Sequence, residues 1–147
     1  MALTVFKIRR DVIASLRRRK PRIYEDLERT VASLRAFPHL FFSKPSVETL
    51  VVYLQGYDAA LHGLPLEGFL YWLELKWNPG ESPRHWIDGL PAVARLESGA
   101  PRSRERVFDA ACAVLQRFFG YRRRYGTTRV TEEFMRRRGR QRAGRGQ

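Results

Sequence analysis

The segment SKPSVETLVVYLQGYDAALHG, residues 43–63, decides the fold class, because its apolar residues recur at helical spacing. Ser46 precedes the apolar run as an N-cap, and Glu48 lies in the first turn, where a negative charge stabilises the helix dipole. His62 and Gly63 end the run with the glycine typical of helix C-termini. The segment therefore predicts a central helix with one wide buried face.

Gly56 stands in the interior of this predicted helix, where glycine costs about 1 kcal/mol relative to alanine. Close approach of another helix backbone or of a large side chain is the usual compensation. We therefore predict that Gly56 is a packing notch, for example for one of the tryptophans. A kink and a ligand-facing gap are the alternatives.

Helical spacing extends to both sides of this segment and predicts an all-α, single-domain bundle of about six helices over residues 1–138. The flanking helices are predicted over residues 11–20, 22–36, 65–77, 83–90, 103–126 and 128–138, with a short strand at 4–9 as the alternative for the first turns. Pro91 is predicted to end the short helix at 83–90. The loop at 37–45 is predicted to place Phe41 and Phe42 in the core.

The last nine residues, GRQRAGRGQ, contain only one apolar side chain, Ala143. They predict a disordered basic tail over residues 139–147.

Composition favours a globular, intracellular class of protein. The 147 residues are 44% hydrophobic and 12% aromatic, which is sufficient for one packed core. No apolar run approaches the roughly 18 residues of a membrane span, and Lys7, Arg9 and Arg10 interrupt the apolar residues that a secretory signal would need. We therefore expect a cytoplasmic protein that binds no membrane.

Catalytic and metal-binding patterns are missing from the sequence. The histidines at 39, 62 and 85 form neither HxxxH nor HExxH, and the single cysteine, Cys112, allows no CxxC site. Cys112 lies among small apolar residues and is predicted to be buried and inert. Since no phosphate loop or nucleophile elbow occurs either, we predict no enzyme activity, no cofactor and no metal.

The net charge of +13 is concentrated at the two ends of the chain. Residues 1–36 hold 10 Lys and Arg against 4 Asp and Glu, residues 37–100 hold 4 against 7, and residues 101–147 hold 14 against 4. Basic ends of this kind attract polyanions or an acidic protein surface. Codon bias is the alternative, because 24 of the 28 basic residues are arginine.

Three basic runs are candidate RNA or DNA contacts, with solvated helix faces as the alternative interpretation. They consist of Arg17, Arg18, Arg19 and Lys20; of Arg122, Arg123 and Arg124; and of Arg136, Arg137 and Arg138. Tyr121 and Tyr125 flank the second run, where their rings could stack on bases while the guanidinium groups contact phosphates.

The middle of the chain also has a recognisable pattern: FFSKPSVETLVVYLQGYDAAL, then GFLYWLELKW, then SPRHWIDGL. It resembles a loosely defined group of small helical bacterial proteins with a proline-serine loop, an LxxFLxGYxxAL helix, an FxxWL element and a capped tryptophan-containing helix. The matching positions are Pro45, Ser46, Leu50, Leu54, Gly56, Tyr57, Ala60, Leu61, Phe69, Trp72, Leu73 and Trp86. Phe41, Phe42 and Ser43 depart from the loop pattern, and Tyr53 replaces the phenylalanine. Some members look like immunity proteins, so the resemblance implies a helical scaffold that binds a protein partner, such as a toxin.

The sequence therefore predicts a non-enzymatic, immunity-like binding protein that occludes an acidic-surfaced protein partner. Its candidate partner-binding residues are Tyr53, Tyr71, Trp72, Trp77 and Arg84, because aromatic residues and arginine dominate interface hot spots. A nucleic-acid-binding or ribonucleoprotein-associated module is one alternative. A structural subunit of a larger assembly is the other.

Overall fold

The computed structural model describes residues 2–77, 85–100 and 102–146, and over these residues the chain forms helices and no strand. The helices are α1 (Ala2–Arg18), α2 (Lys20–Ala36), α3 (Pro38–Phe41), α4 (Val47–Ala60), α5 (Phe69–Trp77), α6 (Trp86–Glu97) and α7 (Arg104–Arg145). The all-α prediction is confirmed. The strand alternative for residues 4–9 is wrong, since α1 includes them. None of the helices in these ranges is both long and apolar enough to cross a bilayer.

Helix α7 contacts α2, α4, α5 and α6, and its first part, residues 104–125, supplies most of its buried side chains. The fully buried side chains of this first part are Ala111, Cys112, Val114, Leu115 and Phe118. Helix α2 runs antiparallel to it, because Tyr24 lies against Arg122 whereas Arg35 pairs with Asp109. The prediction that the helix at 43–63 is central is therefore wrong: α4 packs against α6 and α7 with one face and leaves the other exposed.

N-caps position α4 and α7, as the sequence predicted for Ser46. The Ser46 Oγ accepts a hydrogen bond from the Thr49 N–H at 3.1 Å, and the Thr49 Oγ1 accepts one from the Ser46 N–H at 2.9 Å. This reciprocal capping box satisfies two backbone donors at the start of α4. The Ser103 Oγ accepts from the Arg106 N–H at 3.2 Å and so caps α7.

Helix α6 continues through Pro91 to Glu97, so the prediction that Pro91 ends it is wrong. Proline at this position removes one backbone hydrogen bond. Val93 and Ala94, which follow it in the helix, are buried, and this burial offsets the lost bond. The predicted start of this helix at residue 83 lies outside the described residues; the described N-cap is His85.

Helix α7 changes direction at Gly126, whose φ of 76° and ψ of 167° are accessible only to glycine. We call residues 127–145 the C-terminal arm. Val130 and Phe134 of the arm are buried against the body. Because this docking supplies the costly helix nucleus, arginine and glutamine residues extend the helix to Arg145. The prediction of a disordered tail is therefore wrong for residues 139–145.

Candidate functional site

The predicted partner-binding residues divide between core and surface. Trp72 is buried and contacts Trp77 edge-on, with 5.3 Å between the ring centroids. Tyr71 is exposed, yet it stacks on Phe134 of the C-terminal arm at 4.7 Å. Because Trp72 is buried, it belongs to the core, and its assignment as an interface residue is corrected. Arg84 lies outside the described residues.

Large apolar side chains are exposed at α3 and on α4, although no sequence pattern predicted their exposure. We call these residues the α3–α4 surface: Phe37, Leu40 and Phe41 lie at α3, and Val52 lies on α4 beside Tyr53 in the sequence. Leu40 is 80% exposed, Val52 is 69% exposed and Phe37 is 62% exposed. Tyr53 connects the two helices, since its ring lies edge-on to that of Phe41 with a centroid distance of 6.4 Å.

The short helix α3 explains why these side chains face solvent. Phe42 turns inward and packs on Phe108, with 6.0 Å between the ring centroids, as predicted. Its neighbour Phe41 is exposed, which corrects the prediction that both phenylalanines lie in the core. A run of apolar residues in one short turn cannot direct every side chain to the same core. The close spacing of the apolar residues at 37–42 is thus the feature of the sequence that could have predicted exposed side chains there.

After Glu48, which pairs with Arg95, the outer face of α4 is uncharged and carries mostly small side chains. Val52, Gly56, Ala59 and Ala60 are all exposed on it. A Cβ atom at Gly56 would meet nothing within 4 Å, so the predicted packing notch is wrong. The glycine is exposed, on the side of α4 opposite its buried residues, and none of the described residues packs closely against it. A smooth face remains, which could accept a partner's backbone closely.

A partly buried polar cluster lies where α2 and the α4–α5 connection meet the first part of α7. We call it the Arg122 cluster, formed by Lys20, Tyr24, Asp58, Glu67 and Arg122. The Arg122 side chain is only 3% exposed, and its Nη1 donates to the Pro65 carbonyl oxygen at 2.7 Å. The guanidinium carbon lies 3.6 Å from the centroid of the Tyr24 ring. Within the described residues, its Nε and Nη2 have no hydrogen-bond partner.

Ion pairs and hydrogen bonds connect the remaining members of the cluster. The Tyr24 hydroxyl donates to Glu67 Oε2 at 2.6 Å, and the Lys20 Nζ lies 2.6 Å from the same oxygen. The Asp58 Oδ1 accepts from the Leu66 N–H at 2.9 Å. These contacts join α2 to the α4–α5 connection, and Arg122 joins both to α7.

Burial perturbs the pKa values of the cluster. Desolvation lowers the pKa of Arg122 to about 10 and raises the pKa of Asp58 above its usual range. Burial alone would raise the pKa of Glu67, but the hydrogen bonds from Lys20 and Tyr24 lower it. Because Arg122 stays protonated at neutral pH and contacts aromatic rings, the cluster is suited to joining helices.

The structure places the first two basic runs near each other at one end of the bundle. Only some of their side chains remain exposed for contact with nucleic acid. Arg122 is buried, so its assignment as a nucleic-acid contact is wrong. Lys20 pairs with Glu67, and Arg123 lies 3.6 Å from Glu28. Most other members are exposed: Arg17, Arg18, Arg19, Arg124, Arg136 and Arg138. Arg137 is also exposed, although its Nη1 donates to the Leu75 carbonyl oxygen at 2.9 Å.

A shallow cleft of about 400 Å³ adjoins the predicted tryptophans. It is lined by Trp72, Lys76, Trp77, Glu97, Arg117 and Tyr121. The Arg117 guanidinium lies 5.2 Å from the centroid of the Trp77 ring and pairs with Glu97. In the described part of the chain, no group of three His, Cys, Asp or Glu residues is arranged to hold a metal ion.

Comparison of the chain with protein-family models, with curated proteins and with solved structures finds no match. The resemblance to immunity-like helical proteins therefore stays a hypothesis based on the sequence pattern.

Proposed function

We propose that this chain is a non-enzymatic binding protein that occludes the surface of a partner protein, in the manner of an immunity protein. The α3–α4 surface is its docking site. The observation that carries the proposal is the exposure of Phe37, Leu40 and Phe41 within five consecutive residues, with the Tyr53 ring of α4 against Phe41, in a chain that is 29% charged. Clustered exposed apolar residues of this size are typical of protein interaction sites.

The partner is expected to be acidic around its own apolar contact. The chain carries a net charge of +13, and Lys44 is exposed in the connection between α3 and α4. Complementary charge accelerates association and makes it sensitive to salt, while the desolvated apolar centre supplies most of the affinity. A toxin with an acidic surface fits this chemistry.

A pull-down from the cells that naturally make the protein tests the proposal. The lysate is divided into nuclease-treated and untreated halves, washed in moderate salt, and analysed by mass spectrometry. The baits are the parent chain, Leu40→Glu and the matched control Met135→Glu. Met135 is 63% exposed on the C-terminal arm, so its substitution adds the same charge to an apolar position outside the α3–α4 surface.

We expect one stoichiometric protein in both halves with the parent and with Met135→Glu, and its loss with Leu40→Glu. Retention of that protein by Leu40→Glu would contradict docking at the α3–α4 surface. Several stoichiometric proteins that remain on all three baits would instead support a structural subunit of an assembly.

A further inference from the structure

The C-terminal arm carries a charge distribution that protein docking at the α3–α4 surface does not use. It contains seven arginines and two glutamates, and residues 134–147 contain no acidic residue. Arg129 pairs with Glu133 at 3.2 Å, so one of these carboxylates is already engaged near the start of the arm. The positive charge therefore accumulates in the second half of the arm.

This second half is exposed to solvent beyond the contact of Arg137 with the described part of α5. The arm runs parallel to α5, since Thr127 lies by Gly68, Phe134 stacks on Tyr71, and Arg137 donates to the Leu75 carbonyl. Residues 138–144 are exposed, and the helix continues to Arg145. Eight further residues of α-helix project about 12 Å past the contact at Arg137.

The exposed arginines form two rows on the projecting helix. Arg136 and Arg140 are four residues apart, as are Arg138 and Arg142. Like charges at this spacing destabilise an isolated helix, and a bound polyanion removes the repulsion. Since Arg136 and Arg138 are about 200° apart around the axis, the two rows lie on opposite sides of the helix.

We propose that the C-terminal arm binds duplex DNA by lying in the major groove, with one row of arginines against the phosphates of each wall. The major groove of B-form DNA admits an α-helix, whereas the narrow, deep major groove of A-form RNA does not. Gln141 lies on the side of the helix that carries Phe134 and Arg137 and therefore faces the body. The open side between the rows carries Gly139 and Ala143, which offer no side chain that hydrogen-bonds a base edge. The binding is therefore largely independent of base sequence.

Some arginines of the arm lie near carboxylates of this chain and are therefore less free to contact phosphate. Arg138 lies close enough to Glu74 to lower the pKa of that carboxyl, although burial raises it more. Arg136 similarly contributes to the lowered pKa of Glu133, after the hydrogen bond from Arg129. The contacts to phosphate are consequently strongest toward the end of the arm, at Arg140 and Arg142.

Fluorescence anisotropy with a short labelled DNA duplex tests this second function. The arm variant replaces Arg138, Arg140 and Arg142 with glutamine. The matched control replaces Arg102, Arg104 and Arg106, which have the same spacing and are exposed at the other end of the first part of α7. Both variants lose three charges, so they separate the effect of the arm from that of net charge.

We expect the arm variant to bind duplex DNA at least about tenfold more weakly than the parent at moderate salt. A plot of the logarithm of the association constant against log[salt] should also be less steep for this variant, by about 2.5. The control variant should retain most of the affinity. Equal weakening by the two variants, undetectable binding by the parent, or equal affinity of the parent for duplex RNA or single-stranded DNA would overturn the proposal.

This inference is independent of the protein-binding proposal. Leu40→Glu should leave the affinity for DNA unchanged, so failure of one proposal is distinguishable from failure of the other.

Discussion

Arg122 provides the sharpest test of the structure, because the sequence alone places it in an exposed basic run. Replacement by alanine removes the charge-assisted hydrogen bond to the Pro65 carbonyl, worth about 2 kcal/mol, and the cation–π contact with Tyr24, worth about 2 kcal/mol. It also removes a buried aliphatic stem, worth about 2 kcal/mol.

Part of this loss is offset, because the charged guanidinium no longer has to be kept out of water. Burial lowers the pKa of Arg122 to about 10, which corresponds to roughly 3 kcal/mol of preference against the charged form. The net expectation for Arg122→Ala is a decrease of about 3 kcal/mol in the free energy of unfolding. Arg124→Ala, at an exposed position of the same run, should change it by less than about 0.5 kcal/mol.

Urea unfolding, followed by circular dichroism, measures both variants. With a slope of about 2 kcal/mol per molar urea, Arg122→Ala lowers the midpoint by roughly 1.5 M. Its affinity for DNA, measured under conditions where it is folded, should remain that of the parent. Equal midpoints for the two variants would refute the buried placement of Arg122 and the reasoning built on it.

Three further substitutions or measurements test other parts of the structure. Gly56→Ala should raise the free energy of unfolding by about 1 kcal/mol in a denaturant titration, because the position is helical and open; a loss of stability would indicate the close packing that we reject. Burial raises the pKa of Asp58, so the folded chain favours the protonated carboxyl. The contribution of Asp58 to stability is therefore greatest at low pH and is lost as the pH rises through the raised pKa. Asp58→Asn keeps an acceptor for the Leu66 N–H and should therefore gain stability relative to the parent between about pH 3 and about pH 7; a pH-independent difference would disagree. Burial also raises the pKa of Cys112 to about 12, so a thiol reagent should label it only after unfolding, and rapid labelling of the native chain would contradict its placement.

Helical periodicity made the buried faces predictable. The stripe of Ile23, Leu27, Val31 and Leu34 that the spacing indicates is buried in α2. The caps at Ser46 and Ser103 were predictable for a similar reason, since capping depends on residues a few positions apart. Local chemistry of this kind is written in adjacent residues and needs no knowledge of the tertiary contacts.

Tertiary placement explains where the sequence interpretation went wrong. Gly56 has the same signature whether a neighbouring element covers it or solvent does. Arg122 resembles its neighbours in the run, but it follows Phe118 by four residues and therefore continues the buried stripe of α7. The exposed side chains of α3 depend on the direction of one short turn, which apolar content alone does not determine.

The central claim is that a protein partner docks on the α3–α4 surface. The most direct test is the affinity of the captured partner for the parent, Leu40→Glu and Met135→Glu, measured by titration calorimetry at moderate salt. A charge placed in the desolvated centre of an interface costs more than about 2 kcal/mol, so Leu40→Glu should bind at least about 30-fold more weakly, while Met135→Glu binds as the parent does. Equal affinities for all three chains would contradict the claim.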